Sequence, residues 1–183
     1  LGTSMGGLIG MGYASLPNNP IRKLILNDVG PSLNFAALQR IGDYVGKPVR
    51  FQSLDEARKY IRTISQPFGP HTEAQWNALT DSVLVKKGEF WQPHYDPNIG
   101  QAFQNLSEST TLLHEAALWA AFDSIKADTL VVRGEHSDLL SHETAKTMGQ
   151  RGPRPRVIEV PGVGHAPTFM QNDQINIVRD FLF

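Results

Sequence analysis

The stretch Leu1-Gly2-Thr3-Ser4-Met5-Gly6-Gly7 constrains this chain more than any other. It fits Gly-x-Ser-x-Gly, a spacing in which a strand turns sharply into a helix and holds the serine in strained backbone geometry with its hydroxyl exposed. Small residues are needed on either side because such a turn leaves no room for a Cβ, and Gly2, Gly6 and Gly7 meet that need. Ser4 is therefore the candidate nucleophile. The plain alternative is a glycine-rich turn ahead of an ordinary helix. A phosphate cradle fits worse, since no lysine follows the glycines and Gly-x-Gly-x-x-Gly cannot be laid on these residues.

Bulk properties narrow the field further. A chain of 183 residues can hold one domain with a real core, or one domain carrying an insertion. Its 17 basic and 18 acidic residues leave a net charge of -1 with no block of like charge, so neither a nucleic-acid partner nor an anionic membrane surface is expected. Cysteine is absent, which excludes disulfides, thiolate metal sites and cysteine nucleophiles and agrees with a reducing cytoplasm. The apolar runs Leu24 to Leu26 and Thr129 to Val132 are far too short to span a bilayer. Only Leu1 precedes the serine motif, although a buried strand is needed there. The expectation is a C-terminal part of a longer protein, whose preceding strands come from the rest of the polypeptide or from a second chain.

Along the chain, Met5 to Leu16 reads as a helix whose Gly6, Gly10 and Ala14 repeat at i, i+4 spacing, which suits a helix axis lying close to a sheet. Ile21 to Asp28 reads as a strand with an apolar centre buried on both faces, so helix and strand form half of a βαβ unit. From about residue 31 to 109 the pattern changes to amphipathic helices separated by Pro- and Gly-rich loops. Ser53-Leu54-Asp55-Glu56 and Thr72-Glu73-Ala74-Gln75 are capping boxes, and Asp96-Pro97 is a cap followed by proline at the first helical position. No strand is expected in this stretch, and residues 88–95 read as an aromatic-rich loop. It is expected to be a helical lid, with residues 1–30 and 110–183 forming the α/β core. Asp128 to Gly134 and Arg156 to Val160 read as strands, followed by loops that carry Asp138 and His165.

Functional residues of parallel α/β sheets collect on loops at the carboxyl ends of strands, and Ser4, Asp138 and His165 each hold such a position. In the order Ser, Asp, His they form a candidate catalytic triad. Asp28 also follows a strand and is the alternative acid; Glu135 is a weaker rival. His136 and His142 flank Asp138 without further ligands for a metal, so no metal site and no cofactor is expected. His71, His94 and His114 read as surface or core residues of the lid.

The segments Gly2-Thr3-Ser4-Met5-Gly6-Gly7, Leu130-Val131-Val132-Arg133-Gly134-Glu135-His136-Ser137-Asp138 and Val163-Gly164-His165-Ala166-Pro167 together resemble the cap-bearing α/β-hydrolases, a group with esterases, lactonases and carbon-carbon bond hydrolases. The resemblance implies the C-terminal part of an eight-stranded parallel sheet: the nucleophile elbow and strands six to eight, with a helical lid inserted after strand six. It implies an oxyanion donor at the Met5 amide and a second donor on a loop after strand three, which is absent from this sequence. Some relatives carry the acid at the position of Asp28. Hydrolysis of a small or medium carboxylic ester through an acyl-enzyme is the expected activity. Cleavage of a carbon-carbon bond beside a ketone, or ligand binding without turnover, are the alternatives. Trp91, Phe103, Trp119 and Phe169 are the expected apolar lining of a pocket for a small acyl substrate.

Overall fold

Two apolar stretches far apart in the chain, Leu24-Ile25-Leu26 and Leu130-Val131-Val132, lie side by side in the centre of a parallel sheet and are almost wholly shielded from solvent. A computed structural model describes residues 1–104 and 106–183; Asn105, within the expected lid, lies outside the described residues. The elements in order are β1 (Gly2–Thr3), α1 (Met5–Ala14), β2 (Lys23–Asn27), α2 (Phe35–Gly42), α3 (Leu54–Ile64), α4 (Glu73–Asp81), β3 (Leu84–Lys87), β4 (Phe90–Pro93), α5 (Gln101–Gln104), α6 (Glu108–Ser124), β5 (Asp128–Gly134), α7 (His142–Met148), β6 (Arg156–Val160) and α8 (Asn172–Leu182). Single 3-10 turns occupy Gln66–Phe68 and Pro97–Gly100.

The main sheet has the order β1-β2-β5-β6 with every pairing parallel. Side chains alternate across a strand, so the two faces recruit different partners. Leu24, Leu26 and Val131 pack with Met11 and Ala14 of α1, Phe122 of α6 and Met148 of α7. Ile25, Leu130 and Val132 pack with Val160 and Val163 and with Ile177, Val178 and Phe181 on the other face. Helices on both faces explain why these strands are apolar throughout rather than alternating. Because the strands are parallel, their carboxyl ends share one rim, and Ser4, Asp28, the 135–140 loop and the 161–169 loop all lie along it.

The helix after Ser4 turns inward a face that overlaps the expected one at Ala14 and in part at Gly10, but not at Gly6. Gly7, Met11 and Ala14 are its buried residues, whereas Gly6 is exposed. A Cβ on Gly2 would stand 2.4 Å from the Gly6 carbonyl oxygen, and one on Gly7 would stand 2.4 Å from Val29 Cγ1, while one on Gly6 would meet nothing within 4 Å. The elbow therefore needs glycine at two of its three positions. Met5, Ile9, Tyr13 and Leu16 are exposed.

Between β2 and α6 the chain builds a smaller core of its own from Phe51, Ala57, Ile61 and Leu84, with Trp91 packed against it. The expected capping box is complete at α4, where Thr72 and Gln75 bond reciprocally, and half present at α3, where Ser53 accepts from the Glu56 amide but the Glu56 carboxylate accepts from the Gln52 N–H instead of the Ser53 amide. Two expectations for this segment are corrected. Residues 84–93 form an antiparallel hairpin rather than a loop, with Gly88 at φ 64 in the turn and Trp91 exchanging backbone hydrogen bonds with Phe51. Val85, Phe90 and Trp91 are too few to show strand periodicity; the cross-strand pairing of 84–87 with 90–93 holds them extended, and Phe51 adds one bridge to Trp91. The helix expected from Asp96 is a 3-10 turn followed by the single short turn α5. α6, in turn, starts at Glu108 and runs through the expected lid boundary at residue 109 onto the face of α1.

Gly7→Ala is expected to lower unfolding free energy by about 1–3 kcal/mol, because β-branched Val29 has little freedom to retreat from the added methyl. Urea denaturation followed by circular dichroism measures this, and an unchanged midpoint would show that the elbow tolerates a Cβ there.

Candidate active site

Ser4 sits between β1 and α1 with φ 51 and ψ -124, a conformation that costs a non-glycine residue on the order of 1–3 kcal/mol and must be imposed by its surroundings. Its amide donates to the Asn27 carbonyl at 3.1 Å, which ties the elbow to the end of β2. The Asn27 side-chain amide donates to Thr3 Oγ1 at 3.0 Å and to the Pro167 carbonyl at 2.8 Å, drawing the His165 loop toward the same point. His165 Nε2 lies 3.0 Å from Ser4 Oγ as a result.

The group behind His165 is Asp28. Its Oδ2 lies 2.7 Å from His165 Nδ1, and its side chain is completely buried. Gly134 donates its backbone N–H to Oδ1 at 2.8 Å, and the Ser137 hydroxyl donates to Oδ2 at 2.6 Å. A carboxylate can only accept, so the proton between Asp28 and His165 belongs to Nδ1, leaving the Nε2 lone pair directed at Ser4. Asp28 itself has φ 54, a left-handed conformation that Asp tolerates better than most residues.

Asp138, expected as the acid, stands elsewhere. It forms a two-pronged ion pair with Arg40 of α2, Nε to Oδ2 at 2.7 Å and Nη2 to Oδ1 at 2.9 Å, with both side chains partly exposed. Its carboxylate raises the Arg40 guanidinium above its ordinary value. The loop after β5 puts Ser137 inward and Asp138 outward, because Ser137 Oγ also accepts from the amides of Leu139 and Leu140 and is locked beneath the rim. Glu135, the other rival, accepts from the Gly162 amide at 2.7 Å on the surface. His136 and His142 lie near Glu135 and Glu159, and no cluster among the described residues could hold a metal ion.

Arg133 shapes that loop from below. Nearly buried, it donates to the carbonyls of Glu135, Ser137 and Leu140 and pairs with Glu159 of β6. Burial pushes the Glu159 carboxyl up, but hydrogen bonds from His142 and Arg133 outweigh this and hold it below its ordinary value.

The His165 loop is held from the other side by the segment after α3. Gly164 donates to the Pro67 carbonyl at 2.7 Å, His71 Nε2 lies 2.7 Å from Thr168 Oγ1, and Gln75 donates to the Met170 carbonyl at 2.9 Å. His71, expected as a surface or core residue of the lid, thus bridges the intervening segment to the His165 loop.

A cleft of about 380 Å³ opens over Ser4 and His165, walled by Ile41, Tyr44, Phe68, Leu79 and Phe169. Burial raises the Tyr44 phenol above its ordinary value despite the opposing charge of Arg40, so it stays a neutral hydrogen-bond donor. Of the four expected wall residues only Phe169 is present. Trp91 packs in the core of the intervening segment, Phe103 lies against Gly42, and Trp119 stacks edge-on with Phe122 beneath the Arg151 guanidinium. Aromatic character identified apolar contact area without identifying which surface it would cover. A second apolar cleft of about 390 Å³, lined by Leu8, Leu33, Leu38, His114 and Leu118, contains none of Ser4, Asp28 and His165. No described helix is long and apolar enough to cross a membrane.

Residues 1–176 match the model of the alpha/beta hydrolase family. The chain belongs to this family. Among its relatives, a 3-hydroxybutyrate-oligomer hydrolase from Cupriavidus necator is 49% identical over 98% of the chain and 63% of its own length. A protein from Rickettsia typhi superposes with a TM-score of 0.85 at 33% identity, over 100% of this chain and 60% of that one. An alpha/beta hydrolase from Novosphingobium aromaticivorans gives 0.83 at 30% identity, over 99% of this chain and 63% of that one. The chain thus spans somewhat under two thirds of the length of these relatives.

Asp138→Asn is expected to lower stability by no more than about 1 kcal/mol, since it removes one partly exposed ion pair. Thermal unfolding in low and high salt measures it. Glu159 makes a pH prediction. A carboxyl whose folded value is depressed adds stability above its unfolded value, near 4.5, and loses it as pH falls through the folded value. The parent protein should therefore lose stability more steeply below about pH 4.5 than Glu159→Gln, read from urea midpoints across pH.

Proposed function

We propose that this chain carries the catalytic centre of a serine ester hydrolase, with Ser4 as nucleophile, His165 as general base and Asp28 as the acid that orients it. The observation that carries the proposal is the unbroken chain of hydrogen bonds from Ser4 Oγ through His165 to buried Asp28. A serine hydroxyl is barely ionised at neutral pH, so it attacks an ester carbonyl only as His165 Nε2 takes its proton. The imidazolium that forms is stabilised by Asp28, and its proton passes to the departing alcohol oxygen as the C–O bond breaks. Water then attacks the acyl-serine, giving its proton to His165, and the carboxylic acid leaves as Ser4 regains a proton.

The developing negative oxygen needs donors. The Met5 N–H supplies one, being at the start of α1 where a helix leaves its amides without intrahelical acceptors. The second is proposed to come from a loop on further strands that pair along β1, either in the same polypeptide or from a second chain. Two features support this. β1 covers β2 only at Leu26 and Asn27, and the exposed face of α1 carries Met5, Ile9, Tyr13 and Leu16. Residues 31–109 are proposed to act as a lid, supported by their walling of the cleft through Ile41, Phe68 and Leu79 and by their grip on the His165 loop.

For substrate, the proposal is a short hydroxyacyl ester such as a 3-hydroxybutyrate dimer or trimer. The Cupriavidus necator relative hydrolyses 3-hydroxybutyrate oligomers by its name, and the cleft here is mainly apolar with the Tyr44 hydroxyl as a donor. A fluorophosphonate should label Ser4 and abolish hydrolysis of 4-nitrophenyl butyrate. Asp28→Asn should cut kcat by about 10³- to 10⁴-fold, while Asp138→Asn should stay within about threefold, as expected of a remote surface pair. Equal losses at both positions, or an active enzyme without a Ser4 adduct, would overturn this assignment.

A further inference from the structure

We propose that Ser137 is a positioning residue for the reaction: its hydroxyl holds the Asp28 carboxylate in the orientation that presents His165 to Ser4. This rests on the assignment of Asp28 as the acid. A hydroxyl has one proton and two acceptor sites. Both acceptor sites of Ser137 face backbone amides, those of Leu139 at 3.3 Å and Leu140 at 3.1 Å. Its proton is thereby left for Asp28 Oδ2 at 2.6 Å, and the donor direction is set by the fold rather than by rotation of the hydroxyl.

Oδ2 is also the oxygen that receives the His165 Nδ1 proton, so Ser137 and His165 share it. Gly134 holds the other oxygen, and a Cβ on Gly134 would lie 2.2 Å from the Gly164 carbonyl oxygen, which leaves that position to glycine. The carboxylate plane is thus set by one donor on each oxygen before His165 is considered. Without the Ser137 hydroxyl the carboxylate can rotate about its Cβ–Cγ bond while Gly134 still satisfies one oxygen. The His165 ring would then lose its fixed angle toward Ser4. The wall of the cleft contains neither Ser137 nor Asp28, so substrate binding is untouched.

A double-mutant cycle tests this on the purified protein with 4-nitrophenyl butyrate. Ser137→Ala should lower kcat by about tenfold or more, the size expected for a hydrogen bond to a charged group, with KM within about twofold. Ser137→Thr keeps the donor and should recover most of the loss. Ser137→Cys keeps the shape but offers a weak donor, so its kcat should fall as well, which preserves the test if the alanine variant does not fold. In an Asp28→Ala background, Ser137→Ala should add less than about a twofold further loss, since the group it acts through is gone. Parental kcat in folded Ser137→Ala or Ser137→Cys, or an equal loss with and without Asp28, would overturn the proposal. Parental kcat in Asp28→Ala would instead refute the assignment of Asp28 itself, so the two failures are separable.

Discussion

The buried carboxylate of Asp28 is the interaction on which the rest of the site depends. An ionised group with no exposure is stable only when its acceptor sites are filled, and breaking such a pairing typically costs about 3–5 kcal/mol. Here each filling donor comes from a different part of the chain: Gly134 ends β5, Ser137 lies in the loop beyond it, and His165 follows β6. Satisfying one charge therefore fixes the spacing of three strand ends. That spacing places His165 Nε2 within reach of Ser4, whose own strained backbone is anchored to β2 through Asn27.

Around this centre the supports are layered. Arg133 gathers the carbonyls of the 135–140 loop from beneath and is itself neutralised by Glu159, so the donors to Asp28 rest on a second buried charge. Above the rim, Pro67, His71 and Gln75 hold the segment from Gly164 to Met170, and Arg40 pairs with Asp138 across the same boundary. The proposed lid is thus joined to the His165 loop by directional bonds as well as by apolar contact. Movement of the lid away from the core would release the loop that carries the proposed base.

Much of this was legible in the residues. Gly-x-Ser-x-Gly, the apolar strands around Leu26 and Val131 and the histidine after a strand end are all local signals, and each element was found where expected. The acid was not. Asp28 and Asp138 both follow buried strands, and nothing within a few residues of either tells which will face the histidine. The hairpin at 84–93 was likewise hidden, because its two four-residue strands are too short to show an alternating pattern, and the one bridge that extends it, to Phe51, comes from more than thirty residues away. Trp91, Phe103 and Trp119 were expected at the cleft on apolar character alone, which is equally satisfied by packing inside the proposed lid or beneath α6.

By itself, the sequence determined the parallel α/β class, the serine turn with its helix, and Ser4 and His165 as the proposed nucleophile and base, since strand periodicity, glycine requirements and residue chemistry are properties of short segments. Tertiary structure alone decided which carboxylate faces His165. A carboxylate is selected by where its neighbours' donors converge, and the donors that converge on Asp28 come from Gly134 and Ser137, more than a hundred positions further along the chain. The same loop that was expected to supply the acid supplies groups that hold Asp28, the proposed acid.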